Sequence, residues 1–117
     1  MQINELIDTN RMEISYKTLI PDKIARKIVF NHFNRINEGE ITVIEGSEHL
    51  VFGEMTPNFP IQATIKVLNP KMYLDIVAKG LNGSADSFIK GWWTCNELTS
   101  LVRIFTRNRD AANQFES

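Results

Sequence analysis

Eight residues, IQATIKVL from Ile61 to Leu68, set Ile61, Ala63, Ile65 and Val67 on alternate positions with Gln62, Thr64 and Lys66 between them. A period of two belongs to a strand with one dry face and one wet face. Such a strand cannot stand alone, because its apolar side needs sheet neighbours and a second layer laid across it. The rest of the chain has to supply both.

The neighbours lie just upstream. EITVIEGSEHLVFG reads as a β-hairpin, two β-rich runs around Gly46, Ser47 and Glu48. Helical spacing supplies the covering layer. From Pro21, a residue suited to a first helical turn, Ile24, Ala25, Ile28, Val29, Phe33 and Ile36 share one broad arc. Lys23, Arg26, Lys27 and Asn34 take the other side with Phe30 among them, and Asn37 to Gly39 ends the helix.

Asn69-Pro70 opens a second helix carrying Met72, Tyr73, Ile76 and Val77 and closed by Gly80. GLNG, Gly80 to Gly83, reads as its C-cap and a turn. A short helix over 85–90, closed by Gly91, follows. Thr94 and Glu97 stand at capping-box spacing, which puts Cys95 in the first turn of a last helix. There Leu98, Leu101, Val102 and Phe105 fall at i, i+3, i+4 and i+7, with Arg103 and Arg107 on the opposite face.

This order predicts an α+β domain: a small antiparallel sheet, the hairpin plus at least one further strand, packed on one side by several helices. A length of 117 residues suits one domain, with 1–17 as a mobile arm or short helix and 109–117 as the start of a linker.

Charge and composition narrow the chemistry. The net charge is -1, from nine acidic and six basic residues in 1–60 and five and seven in 61–117, which gives no reason to expect a nucleic-acid partner. Cys95 is the one cysteine, so no internal disulfide forms, and a reducing cytoplasm is expected. His32 and His49 lie on different elements with no cysteine or carboxylate at ligand spacing, which argues against a metal site. Cys95 is either a small buried residue or a thiol with a pKa lowered by its helix start. Neither GxGxxG nor GxxxxGK[ST] occurs, and no carboxylate pair suggests acid–base work. The residues argue against a self-sufficient enzyme. The N-terminus carries acidic residues and no sustained apolar run, unlike a secretory signal, and no stretch approaches the roughly 20 apolar residues of a membrane span. A membrane role would be peripheral.

Three features point to surfaces. Phe30 beside Lys23, Arg26 and Lys27 either meets an anionic bilayer or a partner, or is covered by the N-terminal arm. Arg103, Arg107 and Arg109 either contact lipid phosphate or form a solvated face suited to a helix C-terminus. Trp92 and Trp93 point to opposite sides of an extended chain, one into the core and the other to a groove or interface, unless both pack inside.

The stretch ATIKVLNPKMYLDIVAKGLNGSADSFIKGWWTCNELTSLVRIFTRN resembles the N-terminal domain of the cyclopropane-fatty-acyl-phospholipid synthase family, lipid methyltransferases that use S-adenosylmethionine. A GWW–C–L frame carries the likeness at Gly91, Trp92, Trp93, Cys95 and Leu98, and the likeness covers roughly residues 39–108. The chain departs from the family at Ala85 and Asp86, which replace a Gly-Glu pair, at Phe88, which replaces a tyrosine, and at Lys90, which replaces an aspartate.

The resemblance implies an accessory domain that engages a phospholipid acyl chain or the membrane surface, from the cytoplasm or the inner face of the cell membrane. It also implies docking on a downstream Rossmann-like catalytic domain, expected beyond Ser117. Phe30, Asp86, Phe88, Trp92, Trp93, Arg103 and Arg107 are the candidate lipid or docking contacts. The alternative is a stand-alone lipid-binding or protein-interaction module of the same fold. The cofactor, S-adenosylmethionine, would belong to the parent enzyme and none to this chain. Titration calorimetry of the 117-residue chain with S-adenosylmethionine should therefore show no binding heat, and stoichiometric binding would overturn this division of roles.

Overall fold

The computed structural model describes residues 20–109, so the expectations for 1–17 and for 110–117 lie outside the described residues. The described chain forms helix α1 (Asp22–Phe33), strands β1 (Gly39–Glu45), β2 (Glu48–Glu54) and β3 (Gln62–Val67), helices α2 (Lys71–Lys79) and α3 (Leu81–Ile89), strand β4 (Trp93–Cys95) and helix α4 (Leu98–Arg107). It is an α+β domain with a four-stranded, mostly antiparallel sheet in the order β2-β1-β3-β4.

The hairpin forms where the sequence placed it. Gly46 takes φ 60° and Ser47 a negative φ, which fits the two-residue type II′ turn with glycine first. β1 and β3, in contrast, pair in parallel, Ile41 beside Ala63 and Val43 beside Ile65. After β2 the chain crosses the start of β1, and this crossing buries Phe59 and pairs it with Thr56. β4 then pairs antiparallel with β3, Trp93 opposite Val67.

The alternation predicted for β3 holds. Ala63, Ile65 and Val67 are buried with Ile41, Val43 and Phe52 of the neighbouring strands, while Gln62 and Lys66 are exposed. These residues share one core with Val29, Tyr73, Leu101 and Ile104 of the helices. At roughly 25 cal/mol per Å² of apolar surface removed from water, each such side chain adds about 1.5–3 kcal/mol.

Helix α1 buries most of the arc the wheel suggested, turned somewhat towards Phe30. Ala25, Val29 and Phe33 are buried, but Ile24 is exposed, and Phe30 packs 5.0 Å from Phe52 and 5.6 Å from Tyr73. Arg26 lies over the Phe30 ring at 4.7 Å and pairs with Glu45 at 3.1 Å and Glu48 at 3.0 Å. The Tyr73 hydroxyl donates to the same Glu45 carboxylate at 2.7 Å. Burial, together with that bond, pushes the Tyr73 phenol well above its usual pKa. The helix stops at Phe33, before Asn37, and Ile36 is buried beyond its end.

Two further expectations are corrected. α3 begins at Leu81, so GLNG is a one-residue break at Gly80 followed at once by a helix that contains Gly83. Thr94 is a strand residue and Glu97 occupies the N-cap of α4 with no side-chain cap bond, so no capping box forms. Pairing of Thr94 with Lys66 and Cys95 with Ile65 has claimed those residues for the sheet.

Gly83 is where α2 and α3 touch. A Cβ there would overlap the Asp75 carbonyl oxygen and carbon and lie 3.1 Å from the Ile76 nitrogen, all backbone atoms that cannot yield singly. Gly83→Ala should cost at least the ~1–3 kcal/mol typical of overpacking. Urea unfolding of the full chain measures this, and an unchanged midpoint would count against so tight an approach.

Candidate functional site

A groove of about 350 Å³ opens between α2, α3 and α4 above the sheet. Met72 and Ile76 of α2 and Ile65 of β3 lie along its base, with Trp93 of β4 beside them. Leu81, Ala85, Phe88 and Ile89 form the α3 wall, at the i, i+4, i+7 and i+8 spacing that puts one stripe on one face of a helix. Leu98, Leu101, Val102 and Phe105 form the α4 wall. The last four are the stripe read from sequence, but only Leu101 is buried. Val102 is 57% exposed and Ile89 81%, so the two walls end in apolar rims facing water. Exposed apolar surface gathered round a concavity marks a place where something binds.

Trp93 is the fixed point of this groove. It is buried, with Phe88 at 4.9 Å between ring centroids and a tilt of 56°. Its indole N–H donates to the Ser84 carbonyl and to the Ser87 hydroxyl, both at 3.0 Å. The Ser87 hydroxyl donates in turn to the Gly83 carbonyl at 2.8 Å and the Ser84 carbonyl at 3.0 Å. A buried indole needs such a partner, and Ser87 is fully buried to provide it. Trp92 faces the other way, half-buried, with the Lys90 ammonium 4.4 Å from its ring centroid. One tryptophan is thus inside and one at the surface, as an extended chain requires.

The predicted contacts fall into separate places. Phe88 and Trp93 meet in the groove. Phe30 belongs to the aromatic cluster with Phe52 and Tyr73 and does not line it, although its neighbour Phe33 does. Asp86 is exposed on the far side of α3 and makes no side-chain hydrogen bond or ion pair among the described residues. Arg103 and Arg107 reach over Phe59, 5.8 and 5.2 Å from its centroid, on the flank of α4 away from the groove. Arg107 also pairs with Glu38 at 2.8 Å, which holds that carboxyl below its usual pKa. Lys90 pairs with the buried Asp75 at 3.3 Å, which gives the cation at this position a structural role.

Sequence reasoning missed Ser87, Asn96 and Asn108. The Asn108 side chain accepts from the N–H groups of Asn37 and Glu38 at 3.0 and 3.3 Å. It donates to the carbonyls of Glu38 and Ile104 at 2.7 and 2.8 Å. Asn96 accepts from the Thr64 N–H at 2.7 Å, and its own N–H donates to the Thr64 carbonyl at 3.1 Å. No local signal marks these residues, since their partners lie far away in sequence.

The groove offers an apolar surface for binding. None of the fifteen groove residues is ionisable, and no group of three His, Cys, Asp or Glu side chains could hold a metal among the described residues. No described helix is long and apolar enough to cross a membrane. The fold and groove define an α+β domain with an open apolar cleft. No family model, curated protein or solved structure matches the chain.

Cys95 lies in β4 instead of a helix start, and burial raises its thiol pKa. Less thiolate is then present at neutral pH than in the unfolded chain. Iodoacetamide should therefore label the folded protein more slowly than the denatured one, with the gap narrowing as pH rises through the folded pKa. Faster labelling of the folded form at neutral pH would contradict this.

Proposed function

We propose that this chain is the N-terminal accessory domain of a cyclopropane-fatty-acyl-phospholipid synthase-like methyltransferase. In this reading it engages a phospholipid acyl chain at the membrane surface and docks on a downstream catalytic domain that binds S-adenosylmethionine. The observation that carries the reading is the apolar groove, whose Phe88 and Trp93 belong to the same segment that carries the sequence resemblance. A groove without ionisable lining suits hydrocarbon better than a polar substrate. The domain would work from the cytoplasm, peripheral to the inner face of the cell membrane, with no nucleic-acid partner.

Phosphate contact falls to Arg103 on this account. It lies over Phe59 on the flank of α4, about 100° round the helix from the rim residue Val102, and makes no ion pair among the described residues. Arg107 is already engaged by Glu38.

Flotation with vesicles of equimolar phosphatidylcholine and phosphatidylglycerol tests the lipid reading. The chain should rise with the vesicles, and Arg103→Gln should weaken binding about fivefold, the worth of roughly 1 kcal/mol for one cation near an anionic surface. Arg107→Gln should change it less. Recovery no greater than that of an inert control protein would remove the lipid part of the proposal.

A further inference from the structure

We infer that the free edge of β2 receives an extended peptide strand with an apolar middle and a cation near each end. This surface is separate from the groove, and the inference does not depend on the lipid reading.

Backbone hydrogen bonding provides the template. Glu45 and Glu48 close the two-residue turn as a bonded pair, so Val43 with Leu50 and Ile41 with Phe52 exchange the ladder bonds that follow. The other side of β1 belongs to β3, where the Glu40 N–H donates to the Ile61 carbonyl. His49 and Val51 therefore turn their N–H and C=O groups away from β1. β2 is the outermost strand of the sheet, and among the described residues no hydrogen bond reaches those groups. Both residues are exposed. Open backbone groups of this kind accept a further strand.

The edge also lacks the usual defences. Natural sheets blunt an edge by keeping it short or by placing lysine or proline on it. β4, the opposite edge, is three residues long. β2 runs for seven residues, Glu48–Glu54, with neither lysine nor proline. Val51 instead sets an apolar side chain, 59% exposed, at its middle. Gly53, at φ 74°, bends only the last part of the strand.

Charge selects the occupant. Glu48 and Glu54 stand at the two ends, on the same face as Leu50 and Phe52. Glu48 shares Arg26 with Glu45, two carboxylates to one cation, and Glu54 makes no ion pair among the described residues. A second copy of β2 could match Leu50 with Phe52 and Val51 with its own equivalent, but that register sets Glu48 against Glu54 at both ends. Like charges directly opposite one another work against pairing. A strand ending in lysine or arginine meets the same two positions with opposite charge.

The probe is a fluorescein-labelled peptide with lysine at both ends, a threonine inside each and three valines between. It reads the same in both directions and so presumes no strand orientation. With the full chain its anisotropy should rise to saturation. Its affinity should exceed that of the same peptide with glutamate for each lysine by about tenfold at low salt, a gap that closes as salt is added. Val51→Pro removes an outward N–H at a position that gives no bond to β1, so the hairpin should survive while peptide binding falls about tenfold or more. If that variant does not fold, the peptide decides. N-methylation of both threonines and the central valine, whose N–H groups would face β2, should abolish binding, and N-methylation of the other two valines should not. No binding to the full chain, equal affinity for the lysine and glutamate peptides, or unchanged binding by folded Val51→Pro would overturn the inference. So would sedimentation showing that the chain pairs with itself through this edge, as a dimer that Val51→Pro disperses. None of these outcomes bears on vesicle flotation, which tests the lipid reading.

Discussion

A single indole N–H holds the groove open. Trp93 is buried beside α3 and gives its hydrogen to Ser84 and Ser87, while Ser87 gives its own to Gly83 and Ser84. The sheet edge is thereby fastened to the helix that forms one wall. Leaving that N–H unmatched in an apolar interior would cost about 1–3 kcal/mol, so the ring and the helix must keep their mutual position. Gly83 completes the arrangement by letting α2 and α3 meet backbone to backbone. The Trp93 bonds and the Gly83 contact together set where α3, one wall of the cleft, stands against β4 and α2.

Much of this was legible where the signal is local. The β3 alternation, the Gly46 turn and the apolar stripes of α2 and α4 all follow from period and turn chemistry. The parallel pairing of β1 with β3 was not, because strand partners are chosen across the whole sheet and leave no mark on either strand. β4 is three residues long, too short to show a period, and its pairing displaced the cap that Thr94 and Glu97 spelled out.

The site was legible in part. Phe88 and Trp93 stood out by residue type, and they do meet. Phe30 looked like a surface aromatic because three cations surround it in sequence. Arg26 turns inward to Glu45, however, and carries the α1 face round so that Phe30 packs on Tyr73. The stripe on α4 was clear as an apolar face, but nothing in a stripe tells which part a neighbour covers. That the outer half stays open is decided by where α3 is fastened, a matter of the Trp93 clasp.

Helix α4 is bracketed by Asn96 and Asn108, one bonded to Thr64 of β3 and the other to the chain just before β1. Its seat on the sheet is thus fixed by amide hydrogen bonds at both ends, while Leu98, Val102 and Phe105 between them look into the cleft. Support and lining overlap at Leu101, buried in the core, and at Phe105, which packs on Phe33, but not at the exposed Leu98 and Val102. Those two can therefore be exchanged for larger or smaller apolar side chains with the helix still anchored, so the bore of the cleft is open to tuning by substitution while its frame stays constant.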